Sequence, residues 1–301
     1  MVIVMDNKKW MASIDDNADV FRLNMIGTHD CVTQYIRFGH FFRCQNRNIF
    51  EQLCLGVRGL DIRVEMNKNR RLGMVHAIFK AFSEPGLFKK QMDMADVLAH
   101  CYRFLAENPS ETIVFQFKND SAKHMEECFD IMYNTYIKPD AGKWYLGESV
   151  PKLGEVRGKI IFIRRCKKYE DKEYPLGTGI DFSRWVEQTQ AIPQPLMLST
   201  GGDDAAQFIV QDRYKYKPEP RWNVCIKPFL DTCTEFGGKY IINYLSTAGG
   251  LKGPYNNAEY INPRFMQYPL CDNVYYGMIY TDFPAKELAD KIIKTNFRSK
   301  I

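Results

Sequence analysis

Short apolar runs that end in polar or charged residues recur along the whole chain. In residues 57–65, Leu60, Ile62 and Val64 alternate with charged side chains, which is the period of a strand with one polar face. Other runs are almost continuously apolar and are typical of strands buried on both faces. The segments predicted as strands are 23–30, 57–65, 72–76, 112–118, 159–165, 208–212, 239–246 and 276–282.

Segments with helical spacing separate many of these strands. They cover 49–55, which stops at Gly56, then 94–108, 125–136, 222–236 and 284–295, the last with Pro284 in its first turn. Residues 170–202 contain several prolines and glycines and predict a loop, and a second loop is predicted to run through residue 257.

Seven or eight strands that alternate with helices predict an α/β protein with a mostly parallel sheet. Because polar residues gather at the carboxyl ends of these strands, we expect a single (β/α)8 TIM barrel with one functional face, formed by residues 1–301 as one domain. An open, doubly wound sheet is the alternative architecture. The lack of a glycine-rich phosphate loop after the first strand argues against it.

Composition limits the possible functions only loosely. Of the 301 residues 45% are hydrophobic, and the formal net charge of +5 is too small to suggest a nucleic-acid partner but suits an anionic surface. Nine cysteines without a CxxC pair predict reduced, mostly buried thiols. No run approaches the roughly 20 apolar residues that cross a bilayer, so we expect a protein without signal peptide or anchor, secreted or cytoplasmic.

In a (β/α) barrel the carboxyl ends of all strands converge, so polar residues that are distant in sequence become neighbours. Two histidines beside an arginine suit transfer at a phosphodiester, because one imidazole takes a proton, the other gives one, and the guanidinium stabilises the charged oxygens. The residues expected at this mouth are His29, Asp30, Asp61, Arg63, His76, Lys118, Arg165, Asp212 and Asp282.

Several of these residues have a structural alternative. Asp61 and Arg63 can form an ion pair inside the barrel, and Asp282 can favour the start of the helix at Pro284 through the helix dipole. An isolated histidine is more often structural than catalytic, which is our interpretation for the three histidines outside the set.

A series of short motifs follows one another in a specific order. They are IGTHD at 26–30, QL at 52–53 with GVR at 56–58 and LDIR at 60–63, His76, ETI at 111–113 leading to Lys118, GKII at 158–161 leading to two arginines, VQDRY at 210–214, residues 246–250 followed by YINP at 260–263, and TD at 281–282. In this order the chain resembles the phosphatidylinositol-specific phospholipases C (X-domain family), above all the metal-independent bacterial type. The resemblance covers residues from about 20 to 295.

The resemblance implies a distorted TIM barrel that cleaves phosphatidylinositol between glycerol and phosphate. The inositol 2-hydroxyl would attack phosphorus and give diacylglycerol and inositol 1,2-cyclic phosphate. By matching position, His29 is implied as the base oriented by Asp282, His76 as the acid assisted by Asp30, and Arg63 as the group that stabilises the phosphate. The residues implied for inositol binding are Lys118, Arg165, Asp212 and, stacking on the ring, Tyr214.

The resemblance also bears on metals. Calcium-dependent relatives carry an acidic metal ligand where this chain has Arg63, so we expect no metal and no cofactor. Two positions depart from the family pattern, because Cys31 stands where serine is common and Ala77 follows His76 where glycine is usual. Neither removes a reacting group, but a methyl group at position 77 can crowd the loop of the acid.

The implied partner is phosphatidylinositol, or a glycosylphosphatidylinositol, in a membrane that a monomeric enzyme contacts peripherally. Residues 35–47 mix aromatic side chains with arginines, a composition typical of shallow insertion into a lipid surface. The alternative is an ordinary helix whose aromatic side chains pack on the barrel. The residues predicted for membrane contact are Tyr35, Phe38, Phe41 and Phe42.

Two rival functions fit parts of the pattern. A glycerophosphodiester phosphodiesterase on a similar barrel would bring a carboxylate cluster for a metal, and the Asp-Ile-Arg sequence at 61–63 argues against that. A catalytically inactive barrel that only binds inositol lipids is disfavoured by the two histidines and the arginine.

Overall fold

The computed structural model describes residues 6–86, 89–121, 123–201, 205–271 and 274–297. The strands are β1 (Met25–Thr28), β2 (Tyr35–Ile36), β3 (Gly59–Met66), β4 (Leu72–His76), β5 (Phe79–Phe82), β6 (Ile113–Asn119), β7 (Trp144–Tyr145), β8 (Ile160–Arg164), β9 (Ile180–Asp181), β10 (Leu196–Ser199), β11 (Gln207–Gln211), β12 (Tyr240–Tyr244) and β13 (Met278–Thr281). The α-helices are α1 (Gly39–Phe42), α2 (Ile49–Leu55), α3 (Met94–Glu107), α4 (Met125–Ile131), α5 (Leu153–Val156), α6 (Pro218–Pro220), α7 (Lys227–Asp231), α8 (Gly253–Gln267) and α9 (Lys286–Lys294).

Eight parallel strands form the barrel, in the order β9, β8, β6, β3, β1, β13, β12 and β11. This confirms the predicted α/β barrel. In the described part of the chain no strand pairing joins β9 to β11, and β10 lies antiparallel to β11 at that edge. The barrel is therefore open on one side, where the connections from β8 through β11 contain no α-helix among their described residues, up to 201 and from 205 on.

Every predicted strand occurs, but three other segments differ from the prediction. The predicted loop 170–202, whose last residue lies outside the described part, contains β9 and β10, which are too short to give a readable period. The predicted helix 222–236 is interrupted, since a π-helix (Arg221–Ile226) and a 3-10 helix (Cys233–Phe236) flank α7. Helix α8 begins at Gly253, inside the second predicted loop. The sequence did not predict this helix, because it is polar and has Pro263 in its middle, which gives a weak helical pattern.

Aromatic and polar side chains meet in the centre of the barrel. The rings of Tyr244 and Tyr280 stack with centroids 4.6 Å apart, and Gln116 donates hydrogen bonds to Tyr244 Oη at 2.7 Å and to Asp61 Oδ1 at 3.3 Å. Gly27 faces this stack, and a Cβ atom there would lie 2.6 Å from the Tyr280 ring. Close packing therefore requires a glycine at position 27, two residues before His29.

A buried ion pair supports the opposite, amino-terminal end of the barrel. Arg58 and Glu111 are both fully buried, with Nη2 and Oε2 2.6 Å apart. The remaining guanidinium N–H groups donate to four backbone carbonyls, two of them from the 3-10 helix at residues 7–13. Since the pair is fully hydrogen-bonded, it ties the chain start to β3 and to the residues before β6. The GVR and ETI motifs thus have a structural role, because they supply the two residues of this buried ion pair.

The cysteines match the prediction of reduced, mostly buried thiols. All nine are free and seven of them are buried. Across the described ranges, the longest helices are too short and too polar to cross a bilayer.

Candidate active site

Paired strands β1 and β13 bring His29 and Asp282 together. Each residue directly follows the last residue of its strand, and the backbone N–H of His29 donates to the carbonyl of Thr281 at 3.2 Å. The Nδ1 atom of His29 is 2.8 Å from Asp282 Oδ1. Because a carboxylate only accepts, Nδ1 carries the proton of this hydrogen bond and Nε2 is left facing the pocket.

Asp30 lies between the two histidines. Its Oδ2 atom is 3.1 Å from His29 Nε2 and 3.3 Å from His76 Nε2, and the two imidazole centroids are 6.1 Å apart. Asp30 adopts a left-handed backbone conformation (φ 43°), which turns the chain so that neighbouring side chains face the same site. The sequence prediction gave Asp30 to His76 alone, whereas the structure brings it within ion-pair distance of both rings.

His76 reaches the site on a hairpin rather than on a barrel strand. Strand β3 extends beyond the barrel, β4 pairs with it antiparallel, and β5 pairs antiparallel with β4 next to His76. Nδ1 of His76 donates to the carbonyl of Phe42 at 2.8 Å. This bond fixes the tautomer so that Nε2, facing Asp30, is the nitrogen that can gain and lose a proton.

Arg63 is surrounded by three carboxylates. Its Nε is 3.1 Å from Asp30 Oδ1, Nη2 donates to Asp61 Oδ2 at 3.0 Å, and Nη1 is 3.8 Å from Asp120 Oδ1. Burial would lower the pKa of Arg63, but Asp30 and Asp61 outweigh it and raise that pKa well above its ordinary value. The guanidinium is therefore a permanent cation beside both histidines. The Asp61–Arg63 ion pair that the sequence left as an alternative is present.

The electrostatics of the site favour a proton on His29. Burial would lower the pKa of His29, but Asp282 and then Asp30 outweigh this and raise the pKa from 6.5 to about 9. Burial raises the pKa of Asp282, and the positive charge of His29 opposes that rise. At pH 7 the free protein therefore holds a protonated imidazole at the pocket.

A pocket of about 630 Å³ opens over these groups at the carboxyl ends of the strands. Each sequence-predicted inositol-binding residue lines it, so the barrel brings together side chains from the ends of three strands, β6, β8 and β11. The polar lining residues include His29, Arg63, His76, Lys118, Asp120, Arg165, Glu187, Asp212, Tyr214 and Asp282. The mixture of cations and carboxylates suits a ligand that combines an anionic group with several hydroxyls.

The cations on the far side of this pocket are held in place by their neighbours. Lys118 Nζ lies 2.8 Å from Glu187 Oε1 and 3.1 Å from Asp120 Oδ1. The guanidinium of Arg165 stacks 3.8 Å above the Trp185 ring. Its Nη1 atom is buried without a hydrogen-bond partner in the described ranges, so a donor remains available to a ligand.

Tyr214 and Asp212 form the wall opposite the histidines. Tyr214 Oη donates to Glu187 Oε2 at 3.3 Å, and burial together with the charge of Glu187 raises the pKa of Tyr214 to about 12. The phenol therefore stays neutral. Burial raises the pKa of Asp212, and Arg221 opposes that rise.

Sequence reasoning missed two charged residues of this pocket, Asp120 and Glu187, and the Trp185 ring that stacks on Arg165. Asp120 directly follows β6, two residues after Lys118, so its position at a strand end was the signal that could have identified it. Glu187 and Trp185 come from the loop after β9, in the open side of the barrel. No hydrophobic period marks that loop, and nothing in its sequence indicates which side chains turn inward.

One group of described residues has the composition of metal ligands. Donor atoms of His29, Asp30 and Cys44 lie within 4.8 Å of one another. Arg63 contacts the same carboxylate at 3.1 Å, so a cation bound there would meet a fixed positive charge. We therefore keep the prediction that the site does not depend on a metal.

Exposed apolar side chains lie on segments that border the pocket. Phe38 (66% exposed) and Phe41 (54%) lie at and within α1, Ile78 (80%) follows the His76 strand, and Leu251 (93%) precedes α8. Phe41 and Leu251 also line the pocket itself. An apolar rim around a polar pocket is unusual for a surface that meets only water.

Two of the residues predicted for membrane contact are partly covered. Phe42 is half-buried, with its ring centroid 4.1 Å from that of Phe79 and 5.8 Å from that of His76. Tyr35 is half-buried in β2, opposite Phe82 in β5. The segment 35–42 therefore divides into side chains that pack on the hairpin and side chains that face solvent.

Two imidazoles and a guanidinium thus lie together at the carboxyl-terminal mouth of a (β/α) barrel, a set of groups that suits acid–base chemistry. Residues 34–166 match the family model described as phosphatidylinositol-specific phospholipase C, X domain. The chain is 26% identical to a 1-phosphatidylinositol phosphodiesterase of Staphylococcus aureus (strain Newman), over 85% of this chain and 81% of the relative. It is 22% identical to the 1-phosphatidylinositol phosphodiesterase of Listeria monocytogenes, over 96% and 85%.

Solved structures give the same result for the fold. A mutant of phosphatidylinositol-specific phospholipase C from Staphylococcus aureus superposes with a TM-score of 0.75 at 20% identity, covering 96% of this chain and 98% of the other. The Listeria monocytogenes enzyme superposes with a TM-score of 0.74 at 21% identity, covering 98% and 100%. The chain is therefore similar to the phosphatidylinositol-specific phospholipases C in the X-domain region, residues 34–166, and shares the fold of the solved bacterial enzymes along its length.

Proposed function

We propose that this protein is a phosphatidylinositol phosphodiesterase of the phospholipase C type, which cleaves phosphatidylinositol into diacylglycerol and inositol 1,2-cyclic phosphate. The observation that carries the proposal is the arrangement of His29 and His76 on either side of Asp30, with Arg63 against the same carboxylate. The names of the relatives from Staphylococcus aureus and Listeria monocytogenes agree with it.

The reaction needs a base, an acid and a cation, because the nucleophile is part of the substrate. The inositol 2-hydroxyl lies next to the phosphate-bearing carbon, so attack on phosphorus closes a five-membered ring without a second reactant. His29 takes the proton of the 2-hydroxyl at Nε2, while Asp282 holds Nδ1 and stabilises the imidazolium that forms.

His76 supplies the proton that the departing glycerol oxygen needs. The phosphorus–oxygen bond to diacylglycerol breaks as the proton moves from Nε2 of His76 to that oxygen. Asp30 Oδ2 lies 3.3 Å from this nitrogen and can orient it toward the leaving oxygen. The carbonyl of Phe42 keeps the other ring nitrogen occupied, so only Nε2 takes part.

Arg63 stabilises the negative charge that builds on the non-bridging phosphate oxygens. It can act in place of a metal cation, because it stays charged and its orientation is fixed by Asp61. Hydroxyl groups of the inositol ring then meet both donors and acceptors on the far wall, and the neutral Tyr214 phenol ring offers a face to the apolar side of the ring. The residues proposed for these contacts are Lys118, Asp120, Arg165, Glu187, Asp212 and Tyr214.

The pKa of His29 sets the charge of the free enzyme. With a pKa of about 9, about one imidazole in a hundred is neutral at pH 7. The positive form attracts the anionic phosphodiester, and the chemical step draws on the neutral fraction. Asp282 and Asp30 raise this pKa, and they therefore set the fraction of His29 that is neutral and can act as the base.

Contact with the membrane surface is proposed for the apolar rim of the pocket. Phe41 and Leu251 are exposed and line the pocket, and Phe38 and Ile78 are exposed on the same segments, close in sequence to the lining residues Phe41 and Ala77. Arg37 and Arg43 flank α1 and are exposed, which adds attraction to anionic lipids. Tyr35 and Phe42 have smaller parts in this contact, because both are half-buried.

Release of diacylglycerol from detergent-dispersed phosphatidylinositol tests the proposal. We expect wild type to release it and His29→Ala and His76→Ala each to lose about 10²-fold or more of the turnover. His124→Ala, which removes an exposed imidazole at the start of α4, is the matched control and should keep full activity. A wild-type protein that binds phosphatidylinositol but releases no diacylglycerol would instead favour an inactive, lipid-binding barrel.

A further inference from the structure

The carboxylate of Asp120 joins parts of the site that belong to different steps. Its Oδ2 accepts a hydrogen bond from the backbone N–H of Ala77 at 2.9 Å, directly after His76. Its Oδ1 lies 3.1 Å from Lys118 Nζ and 3.8 Å from Arg63 Nη1. The Asp120 side chain thus contacts three parts of the site. These are the hairpin that carries His76, the proposed inositol-binding residue Lys118, and Arg63, the cation proposed to stabilise the phosphate.

The backbone that Asp120 holds is in a conformation that needs support. Ala77 has φ 53°, in the left-handed region that a residue with a Cβ atom rarely adopts. It is exposed, and it forms the turn between β4 and β5. A strained turn of this kind persists when the surrounding contacts fix it.

Asp120 itself is fixed from both sides. Its backbone N–H donates to the carbonyl of Val64 in β3 at 2.9 Å, and its side chain is 7% exposed. Burial would raise the pKa of Asp120, but Arg63 and Lys118 outweigh it and lower the pKa to about 2. The carboxylate is therefore ionised at neutral pH and can accept the hydrogen bond from the Ala77 N–H in that form.

We propose that Asp120 is a positioning residue for the general acid, which fixes the turn after His76 through the Ala77 N–H and so holds His76 Nε2 at the leaving oxygen. This inference rests on the proposed function and goes beyond it, because binding an inositol hydroxyl would not require a contact with the hairpin. A positioning role and a binding role for Asp120 make different predictions for the leaving group.

Leaving-group dependence separates the two roles. Diacylglycerol leaves as a poor leaving group that needs a proton, whereas an aryl alcohol, as in a 4-nitrophenyl ester of inositol 1-phosphate, leaves as a phenolate without one. The experiment measures kcat for both substrates with wild type, Asp120→Ala, His76→Ala and Lys118→Ala. Loss of a correctly placed acid lowers kcat only for phosphatidylinositol, and loss of an inositol contact lowers the rates for both.

We expect His76→Ala to lower kcat for phosphatidylinositol about 10²-fold or more beyond its effect on the aryl ester. Asp120→Ala should show the same preference, at about tenfold or more, since a loosened turn misplaces the acid without removing it. Lys118→Ala, which removes an inositol contact and keeps the Ala77 hydrogen bond, should lower both rates by one common factor. An equal loss on both substrates in Asp120→Ala would contradict the positioning role.

The ratio of the two rates comes from one preparation, so a partly unfolded variant leaves it unchanged. Asp120→Asn provides a second test, because its amide oxygen can still accept from Ala77 while the charge facing Lys118 is lost. We expect a wild-type ratio in Asp120→Asn, and a ratio like that of Asp120→Ala would contradict the hydrogen bond as the cause. If His76→Ala shows no leaving-group dependence, the acid assignment of the proposed function fails first, and this inference fails with it.

Discussion

The clearest quantitative prediction concerns the proton on His29. The structure raises the pKa of this imidazole from 6.5 to about 9, a difference of about 2.5 units or about 3.4 kcal/mol in favour of the imidazolium. Because burial acts in the opposite direction, Asp282 and Asp30 together supply more than this net amount. Asp282 contributes both a charge and a hydrogen bond at 2.8 Å, whereas the contact of Asp30 at 3.1 Å is not aligned as a hydrogen bond.

Replacing one carboxylate at a time tests this order. Asp282→Asn keeps an acceptor of the same shape but removes the charge, so we expect the pKa of His29 to fall by more than one unit. Asp30→Asn should lower it by a smaller amount. The assay is NMR titration of labelled imidazoles, and with five histidines in the chain the His29 signal is assigned by its loss in His29→Ala. A His29 pKa near 6.5 in wild type, or a larger fall in Asp30→Asn than in Asp282→Asn, would refute the reasoning.

Three further predictions follow from the charges and the apolar rim. Arg63→Ala should lower kcat about 10²-fold or more, because the phosphate loses its fixed cation. The wild-type protein should keep its full activity in EDTA, because Arg63 takes the place of a metal ion. Total loss of activity in EDTA would contradict this assignment. Phe38→Ala and Ile78→Ala should weaken binding to phosphatidylinositol vesicles in a sedimentation assay. Phe297→Ala, which changes an exposed residue beyond the end of α9, is the control and should leave binding unchanged. Equal effects of all three substitutions would contradict membrane contact by the apolar rim. The proton on His29 should also stabilise the fold, since a raised pKa adds stability that is complete below pH 6.5 and is lost as pH rises through about 9. In urea unfolding, the free energy of unfolding of wild type should therefore fall by up to about 3 kcal/mol relative to that of His29→Ala over this pH range. The same pH dependence in both proteins would contradict the raised pKa.

Periodicity identified the parts of the fold that place the site. The alternation in 57–65 and the apolar runs before His29, Lys118 and Asp282 end within a few residues of the observed strand ends, so the convergence of these side chains was predictable. The barrel rule then placed residues from opposite ends of the chain side by side.

Other features had no signal of this kind. The gap between β9 and β11 and the loop that carries Glu187 depend on packing between distant segments, and two-residue strands are too short to show a period. The antiparallel hairpin that delivers His76 was predicted only as another strand, because sequence patterning does not report strand direction. These are the places where tertiary contacts decide the structure.

The assignment of Asp30 shows the same limit at the level of one side chain. The motif order identified Asp282 as the partner of His29, and the 2.8 Å hydrogen bond agrees with that geometry. Nothing in the sequence indicated that Asp30 would reach both imidazoles, since this follows from its left-handed backbone and from the hairpin that brings His76 over β1. The roles of these residues stay predictions until they are tested by substitution.

The central claim is that this protein forms a cyclic phosphate from phosphatidylinositol with His29 as the base. Phosphorus-31 NMR of the protein with phosphatidylinositol in detergent tests it directly, because a five-membered cyclic phosphate resonates apart from the diester and from a phosphomonoester. We predict that the cyclic signal grows with wild type and is absent over the same time with His29→Ala. Inositol 1-phosphate formed by wild type without a preceding cyclic signal, or a cyclic signal that grows equally in His29→Ala, would contradict the account.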